Sequence, residues 1–184
     1  GMPMHELDNR EDVGPIAALG RRHDLGLNGD KAVLIAMGGI AHQLPVEDWP
    51  RTPGIRWLVP AVWQCAHPDV IALESFGLNF TDLLCSVDAV ISKPGYGTFT
   101  EAACNGTPVL HQRRDDWPEQ DCLIEWLRRS GRCQEVDASV LHHGDLRESL
   151  SALWRQAPSP TPQATGARQA SEKILSLCPG FAVS

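Results

Sequence analysis

The sequence has no run of about 20 apolar residues, so it predicts no segment that could cross a bilayer. Its first residues also lack the basic and then apolar pattern of a secretory signal. It carries no excess of basic residues, because 16 Lys and Arg stand against 23 Asp and Glu, a net charge of -7. An acidic chain suits a polyphosphate backbone poorly, which argues against nucleic-acid binding. These absences predict a soluble, cytoplasmic protein.

Paired metal or redox ligands are also missing. The six cysteines are spread singly, and none forms a Cys-x-x-Cys pair, so we expect reduced cysteines, most of them within apolar runs. His142 and His143 are adjacent, but no third ligand stands at a metal-like spacing. We interpret this pair as part of a solvated loop and predict no metal site.

Apolar runs recur through the middle of the chain and suggest a parallel sheet. The longest covers residues 32–37 and stops at Gly38-Gly39, and shorter runs follow at 55–59, 70–73, 87–91 and 108–110. Short continuous apolar runs are typical of strands that are buried on both faces. Several segments between them have helical spacing, for example Phe80, Leu83, Leu84 and Val87 at i, i+3, i+4 and i+7, as in βα units. We therefore predict an α/β domain with a doubly wound, Rossmann-like parallel sheet, whose ligands lie beyond the carboxyl ends of the strands.

At 184 residues the chain has room for one well-packed domain. We divide it into a linker with a short helix (1–30), the Rossmann-like domain (31–157) and a C-terminal helix with a tail (158–184). The abrupt polar start suggests a piece excised from a longer protein. Trp126 and Trp154 stand beside apolar stripes of predicted helices, so we expect both in the core.

The stretch from residue 87 to 120 carries the most informative pattern. A buried strand at 87–91 leads through a turn with Gly95 and Gly97 into a helix that begins near Thr98. Such a turn brings free backbone N–H groups and the positive end of the helix to one place, which suits a phosphate or diphosphate. Lys93 adds a full positive charge there.

The same stretch has a purely structural interpretation. Thr98 and Glu101 are three residues apart at the predicted helix start and could form a capping box. Asp116 and Glu119 repeat that pattern, with Pro118 in the first turn of the predicted helix. Spacing alone leaves a phosphate site and plain helix caps equally open.

Three motifs in order resemble the donor-binding signature of the C-terminal domain of GT-B glycosyltransferases, in the group of MurG-like enzymes and UDP-glycosyltransferases. They are the stretch from Asp88 to Ala102 (DAVISKPGYGTFTEA), Gly106-Thr107-Pro108, and Glu119-Gln120. The resemblance extends to residues 13–16 and the Gly38-Gly39 turn, so it covers most of the chain. It implies the C-terminal half of the GT-B architecture, with residues 31–157 binding a nucleotide sugar.

The resemblance implies roles for residues that would hold the two sugars of the donor. Glu101 matches the carboxylate that accepts hydrogen bonds from the ribose hydroxyls. Glu119 and Gln120 match the acidic residue and glutamine that bind hydroxyls of the transferred sugar. Trp117, just before this pair, is our candidate for a further sugar contact. Where the family motif continues with Asn, this chain has Asp121-Cys122, which leaves the sugar undefined.

The resemblance places the other donor-binding residues beside the diphosphate or the base. Lys93 stands where relatives often carry His. A loop after the third strand would hold the base. The implied residues are Gly95, Gly97, Thr98 and Lys93 at the diphosphate, Gly38 and Gly39 at the mouth of the interdomain cleft, and Phe76 in the base loop.

The resemblance implies transfer of a hexosyl group from a nucleoside diphosphate sugar, with UDP favoured, to an unknown acceptor. No Asp-x-Asp pair stands ready for a divalent cation, so we expect metal independence and no cofactor beyond the donor substrate. The acceptor site and catalytic base would belong to a missing N-terminal domain or subunit. His42 follows the first glycine turn, but we assign no base.

Two alternatives stay open. The chain could be a sugar-nucleotide-binding module without its own catalysis, or one subunit of a split transferase. It could also be half of a nucleotide-sugar 2-epimerase, which has a similar fold and a comparable order of Gly, Glu and Gly-x-Pro motifs.

Overall fold

The apolar runs of the sequence form the strands of a parallel sheet. A computed structural model describes residues 11–38, 43–115 and 117–177. The sheet has the order β3-β2-β1-β4-β5-β6, and each neighbouring pair is parallel. Its strands are β1 (Lys31–Ala36), β2 (Ile55–Val59), β3 (Val70–Ala72), β4 (Ala89–Ser92), β5 (Val109–His111) and β6 (Cys133–Glu135). This order confirms the predicted Rossmann-like α/β fold.

Helices cover both faces of the sheet. On one face, β1 and β4 pack against helices α1 (Phe80–Ser86), α2 (Tyr96–Cys104) and α3 (Gln120–Ser130). On the other face lie α4 (Ala138–His143), α5 (Arg147–Arg155) and a 3-10 turn at Val46–Asp48. Further 3-10 turns occupy Ala61–Trp63 and Leu73–Phe76, and α6 (Gly166–Leu177) comes last. Burial on both faces explains why the central strands β1 and β4 are apolar at every position except Lys31 and Ser92, which lie at their ends.

Two elements were not predicted. The edge strand β6 reads Cys-Gln-Glu and is half-buried, so it has no apolar run. Helix α4 has six residues, of which Leu141 alone is buried, and is too short for a periodic pattern. It contains His142 and His143, which we had interpreted as part of a loop; that interpretation is wrong, although both side chains are exposed as expected.

Residues 11–30 form no helix, so the short helix predicted for residues 1–30 has no counterpart in this part. The segment crosses α1 and α2 in an irregular conformation, and side chains satisfy its backbone. Asn105 accepts from the Gly20 N–H at 2.8 Å, and Asp82 accepts from the Arg21 N–H at 2.7 Å. These bonds replace the intrahelical bonds that a helix would make.

No helix in the described ranges is long and apolar enough to span a membrane. The five cysteines that lie in these ranges form no disulfide with one another; Cys104 is buried in the core, and the other four are half-buried.

Candidate functional site

The chain changes direction between β1 and β4, the two central strands. β1 is followed by a connection to β2 on one side, while β4 is followed by a connection to β5 on the other. In sheets of this kind the connections that follow two such strands diverge, and ligands bind in the crevice between them, at the carboxyl edge of the sheet. Ala36 and Ser92 end these strands in register, and the Ser92 hydroxyl donates to the Ala36 carbonyl at 2.9 Å.

The structure brings Gly38 and Lys93 together in this crevice. Gly38 has a φ of +83°, a conformation that favours glycine. A Cβ atom at Gly38 would lie 3.6 Å from Cε of Lys93, so the lysine side chain passes beside the turn. The Lys93 ammonium has no acidic partner among residues 11–38, 43–115 and 117–177. Gly39 and His42 lie outside the described residues.

Helix α2 begins at the crevice, at Tyr96, with Gly95 as its N-cap. Its first backbone bond runs from the Phe99 N–H to the Gly95 carbonyl at 3.1 Å. The N–H groups of Tyr96, Gly97 and Thr98 therefore have no intrahelical acceptor, and the positive end of the helix faces the crevice. The turn between β4 and α2 has the architecture expected for an anion site.

The capping-box interpretation of Thr98 and Glu101 is wrong. Because α2 begins two residues before the predicted start, Thr98 is its third residue and cannot cap it, and the N-cap Gly95 makes no side-chain cap bond. Glu101 lies one turn later on the face that carries Gly97 and Thr98. Its half-buried carboxylate has no hydrogen-bond or ion-pair partner within the described parts of the chain, so it is an available acceptor.

Helix α3 brings Glu119 and Gln120 to the same edge. Glu119 is its N-cap and Gln120 its first residue. Pro118 therefore precedes the helix, so its assignment to the first turn is wrong, and Asp116 lies outside the described residues. The Glu119 Oε2 atom accepts a hydrogen bond from the Tyr96 hydroxyl at 2.7 Å, which joins the starts of α2 and α3.

The Gln120 amide closes the loop that precedes α3. Its Oε1 accepts from the Arg114 N–H at 2.8 Å, and its Nε2 donates to the Arg114 carbonyl at 2.6 Å. An amide has two acceptor lone pairs and two N–H donors, so one of each remains for a ligand. Gln120 therefore has a structural contact that the sequence did not predict, in addition to any contact with a sugar.

Aromatic rings line this part of the edge. The rings of Tyr96 and Trp117 meet edge to face, with centroids 5.6 Å apart, and the Arg114 guanidinium lies 5.2 Å from the Trp117 centroid. Burial, and then the hydrogen bond to Glu119, raises the pKa of Tyr96 to about 12, so its hydroxyl is a neutral donor at physiological pH. Tyr96 was not among the predicted site residues, although it is the one tyrosine of the chain and lies within the glycine motif.

A buried histidine beneath α2 was also missed. His111 ends β5 in register with Ser92, and its ring centroid lies 5.7 Å from that of Phe99. The side chain is fully buried, and neither ring nitrogen has a hydrogen-bond partner within the described ranges. Burial lowers the pKa of His111 to about 4, so the ring is neutral at physiological pH.

The other predicted residues lie farther from the crevice. Phe76 ends the 3-10 turn after β3, two strands from β1, and packs partly against the core on the α1–α3 face. Its contact with a base stays a prediction. Trp126 and Trp154 are half-buried and pack against the core. The described residues contain no group of three or more His, Cys, Asp or Glu that could hold a metal ion.

No family model and no curated protein matches the chain. Among solved structures, it is similar to the glycosyltransferase of kitacinnamycin, with a TM-score of 0.56 and 20% identity, over 92% of this chain and 46% of that chain. It is also similar to the spinosyn forosaminyltransferase SpnP, with a TM-score of 0.54 and 17% identity, over 89% and 49% of the two chains. A UDP-N-acetylglucosamine 2-epimerase matches at a TM-score of 0.44, which is too low to support an argument.

The chain spans about half the length of these structures. Identities near 20% establish the fold and nothing finer. The fold is the one that the motifs implied. The chain has the Rossmann-like fold of one half of a GT-B glycosyltransferase.

Proposed function

We propose that the chain is the donor-binding half of a glycosyltransferase, which transfers a hexosyl group from a nucleoside diphosphate sugar, with UDP as the favoured nucleotide. One observation carries the proposal. A lysine and a helix N-terminus lie at the edge where a doubly wound sheet binds ligands, one carboxylate lies one turn along that helix, and another lies beside its first residue. These groups are Lys93, the start of α2, Glu101 and Glu119.

The cationic groups suit the diphosphate. Three N–H groups of the first turn of α2 and the Lys93 ammonium all present positive charge at the carboxyl ends of β1 and β4. Gly38 and Gly95 have no side chains that would keep phosphate oxygens away from the backbone. A diphosphate bound there gains several charge-assisted hydrogen bonds.

The carboxylates suit hydroxyl groups. A carboxylate accepts hydrogen bonds and donates none, which matches the hydroxyls of a ribose or a hexose. Glu101 lies one helical turn beyond the proposed diphosphate groups, and Glu119 lies beside the first residue of α2. We assign Glu101 to the ribose and Glu119, with Gln120, to the transferred sugar.

The same groups would promote the reaction. Cleavage of the anomeric bond leaves negative charge on the departing diphosphate, and prearranged N–H groups with Lys93 stabilise that charge. We propose that this stabilisation proceeds without a divalent cation. The acceptor and the catalytic base would come from a second domain or subunit, because the chain spans about half of the glycosyltransferases it matches.

Calorimetric titration of the chain with UDP, UDP-GlcNAc and ADP, with and without EDTA, tests the proposal. We expect UDP to bind, UDP-GlcNAc to bind more tightly, ADP to bind at least tenfold more weakly, and EDTA to change nothing. Absence of UDP binding would overturn the donor assignment, and loss of binding in EDTA would overturn metal independence.

A binding module without its own catalysis is the second candidate, because the half-length chain carries donor-type groups but no assigned base. An assay that supplies a UDP-sugar and an acceptor to the protein that contains this chain distinguishes the transferase from the binding module. Release of UDP in the presence of the acceptor supports the transferase, whereas binding without turnover supports the module. Conversion of UDP-GlcNAc to ManNAc and UDP would instead identify an epimerase.

A further inference from the structure

We propose that Tyr96 is a positioning residue that orients the Glu119 carboxylate toward the transferred sugar and thereby connects the diphosphate and sugar subsites. This inference rests on the proposed function. It concerns a residue for which the motif comparison assigned no role.

The contact between the two side chains is short and lies at the open edge of the crevice. The Tyr96 hydroxyl donates to Glu119 Oε2 at 2.7 Å across 23 residues of sequence. Tyr96 keeps 40% of its surface exposed, so a ligand in the crevice has access to this pair. Because Tyr96 stays neutral, it can donate this hydrogen bond at any physiological pH.

Tyr96 provides the one polar contact of the Glu119 side chain within the described residues. Glu119 is the N-cap of α3, but its carboxylate makes no cap bond. It has no ion pair in the described ranges, unlike Glu135, which Arg113 and Arg128 hold at 3.1 and 3.2 Å. Without the Tyr96 hydroxyl, the side chain would sample several rotamers, and binding a sugar would cost the entropy of ordering it.

The hydrogen bond leaves the carboxylate able to bind a sugar. A carboxylate has about four lone-pair sites, of which Tyr96 occupies one. The remaining sites accept from sugar hydroxyls. Tyr96 therefore orients the Glu119 carboxylate and leaves most of its lone pairs available to the sugar hydroxyls.

The phenol itself is held in place. Its ring meets Trp117 edge to face, Trp117 contacts the Arg114 guanidinium, and Gln120 binds both backbone groups of Arg114. Tyr96 is also the first residue of α2, so its backbone N–H lies in the proposed diphosphate subsite while its hydroxyl reaches the sugar subsite. One residue thus contacts both parts of the donor site.

The test uses Tyr96→Phe, which keeps the ring on Trp117 and removes the hydroxyl. We define the sugar gain as the Kd for UDP divided by the Kd for the UDP-sugar that binds best among UDP-GlcNAc, UDP-glucose and UDP-galactose. We expect Tyr96→Phe to leave the Kd for UDP within twofold of wild type and to reduce the sugar gain about 3- to 10-fold, the range of one hydrogen bond.

Two further variants separate positioning from a general structural effect. Glu119→Gln should also lower the sugar gain, and the double variant Tyr96→Phe/Glu119→Gln should lose little more than Glu119→Gln alone, because Tyr96 acts through Glu119. Additive losses would overturn the inference. Phe is the conservative replacement here, and an unchanged Kd for UDP reports that the fold is intact.

The single tyrosine offers a direct readout. In protein labelled at the tyrosine Cζ with carbon-13, one resonance reports the Tyr96 hydroxyl. It should shift in Glu119→Gln and on addition of the UDP-sugar, and much less with UDP. An equal sugar gain in wild type and Tyr96→Phe, or wild-type UDP binding without any sugar gain, would overturn the inference and leave the donor site standing. Absence of UDP binding would overturn the proposed function itself.

Discussion

The two edges of the sheet use their carboxylates differently. At the amino edge, Asp30 binds Arg56 at 2.7 Å, Asp69 binds Arg51 at 2.9 Å, and Asp88 binds Lys31 at 3.2 Å as well as the Ala32 N–H. At the carboxyl edge, Glu135 on the outer strand β6 pairs with Arg113 and Arg128, but near the crevice the Glu101 carboxylate has no partner in the described ranges, and Glu119 accepts from a neutral phenol.

The buried histidines at the two edges also differ in the hydrogen bonds of their ring nitrogens. At the amino edge, His67 Nε2 lies 3.0 Å from the Trp49 carbonyl, and Nδ1 accepts from the Asp69 N–H at 3.1 Å. At the carboxyl edge, both nitrogens of His111 lack a partner among the described residues. The amino edge thus uses its polar groups to stabilise the fold. Near the crevice, Glu101 and Glu119 keep carboxylates whose internal hydrogen bonds are incomplete, as expected where a ligand supplies the missing partners, whereas His111 is too deeply buried to contact a ligand.

The largest expected effect lies at the amino edge, in Asp69→Ala. The Asp69 side chain is 3% exposed and accepts from Arg51 and from the Thr52 N–H. Burial alone would raise the pKa of Asp69, but these hydrogen bonds lower it below its usual value. Removal should cost about 3–4 kcal/mol of unfolding free energy, because the buried Thr52 N–H loses its acceptor and Arg51 loses its ion-pair partner. Urea unfolding measures this loss.

The control for Asp69→Ala is Asp48→Ala, which removes an exposed carboxylate of the same type. It should change stability by less than about 0.5 kcal/mol. The Kd for UDP should stay unchanged in both variants. A loss of UDP affinity in a folded Asp69→Ala protein would contradict the assignment of fold stabilisation to the amino edge and ligand binding to the carboxyl edge.

The next largest effect is the loss of unfolding free energy at acid pH, which we attribute to His111. Its pKa is lowered from 6.5 to about 4 in the folded protein, so below pH 6.5 the unfolded chain binds a proton that the folded protein does not. The stability that depends on the neutral ring is full above pH 6.5 and is lost as the pH falls to about 4. The loss should reach about 3 kcal/mol.

The variant His111→Leu checks this prediction, since leucine fills the site without titrating. Unfolding free energies at pH 7 and pH 4 should differ by about 3 kcal/mol less in the variant than in wild type. His142→Gln, at an exposed histidine of α4, should keep the wild-type difference. Equal pH dependence in wild type and His111→Leu would show that His111 is protonated equally in both states.

At the carboxyl edge, Glu101→Ala should reduce UDP affinity about 10- to 100-fold, because the proposed charge-assisted hydrogen bonds to the ribose hydroxyls would be lost. Stability should change by less than about 0.5 kcal/mol, since the carboxylate has no partner in the described ranges. Calorimetry and urea unfolding measure both quantities. Glu125→Ala, on the exposed side of α3, should keep wild-type affinity. If both variants bind UDP equally, Glu101 has no role at the ribose.

The smallest effect is expected for Gln120→Ala, because Gln120 both holds the loop at Arg114 and is proposed to bind the transferred sugar. The sugar gain should fall about 3- to 10-fold, with the Kd for UDP little changed. Loss of both hydrogen bonds to Arg114 should also lower stability by about 1 kcal/mol. Gln134→Ala, on the edge strand β6, should leave the sugar gain unchanged. A stability loss without any change in sugar gain would make Gln120 a loop contact alone.

Much of the fold could be predicted because central strands and amphipathic helices have strong local patterns. The run at 55–59 is β2, and the spacing of Phe80, Leu83 and Leu84 correctly indicated α1. The start of α2 was misplaced because Gly95 caps it without a side chain, while Thr98 and Glu101 imitate a capping box. Edge strand β6 and the short α4 lacked enough apolar residues to form a pattern.

The sequence by itself determined the alternation of strands and helices and the order of the glycine, Gly-x-Pro and Glu-Gln motifs, since these depend on local periodicity and backbone preference. Tertiary structure alone decided that Tyr96 meets Glu119, that Glu101 stays unpaired among the described residues, and that His111 is buried without a partner there. Each of these outcomes depends on how residues far apart in sequence pack together. They arise because parallel strands bring their carboxyl ends to one edge, where the loops and helix starts that follow them meet.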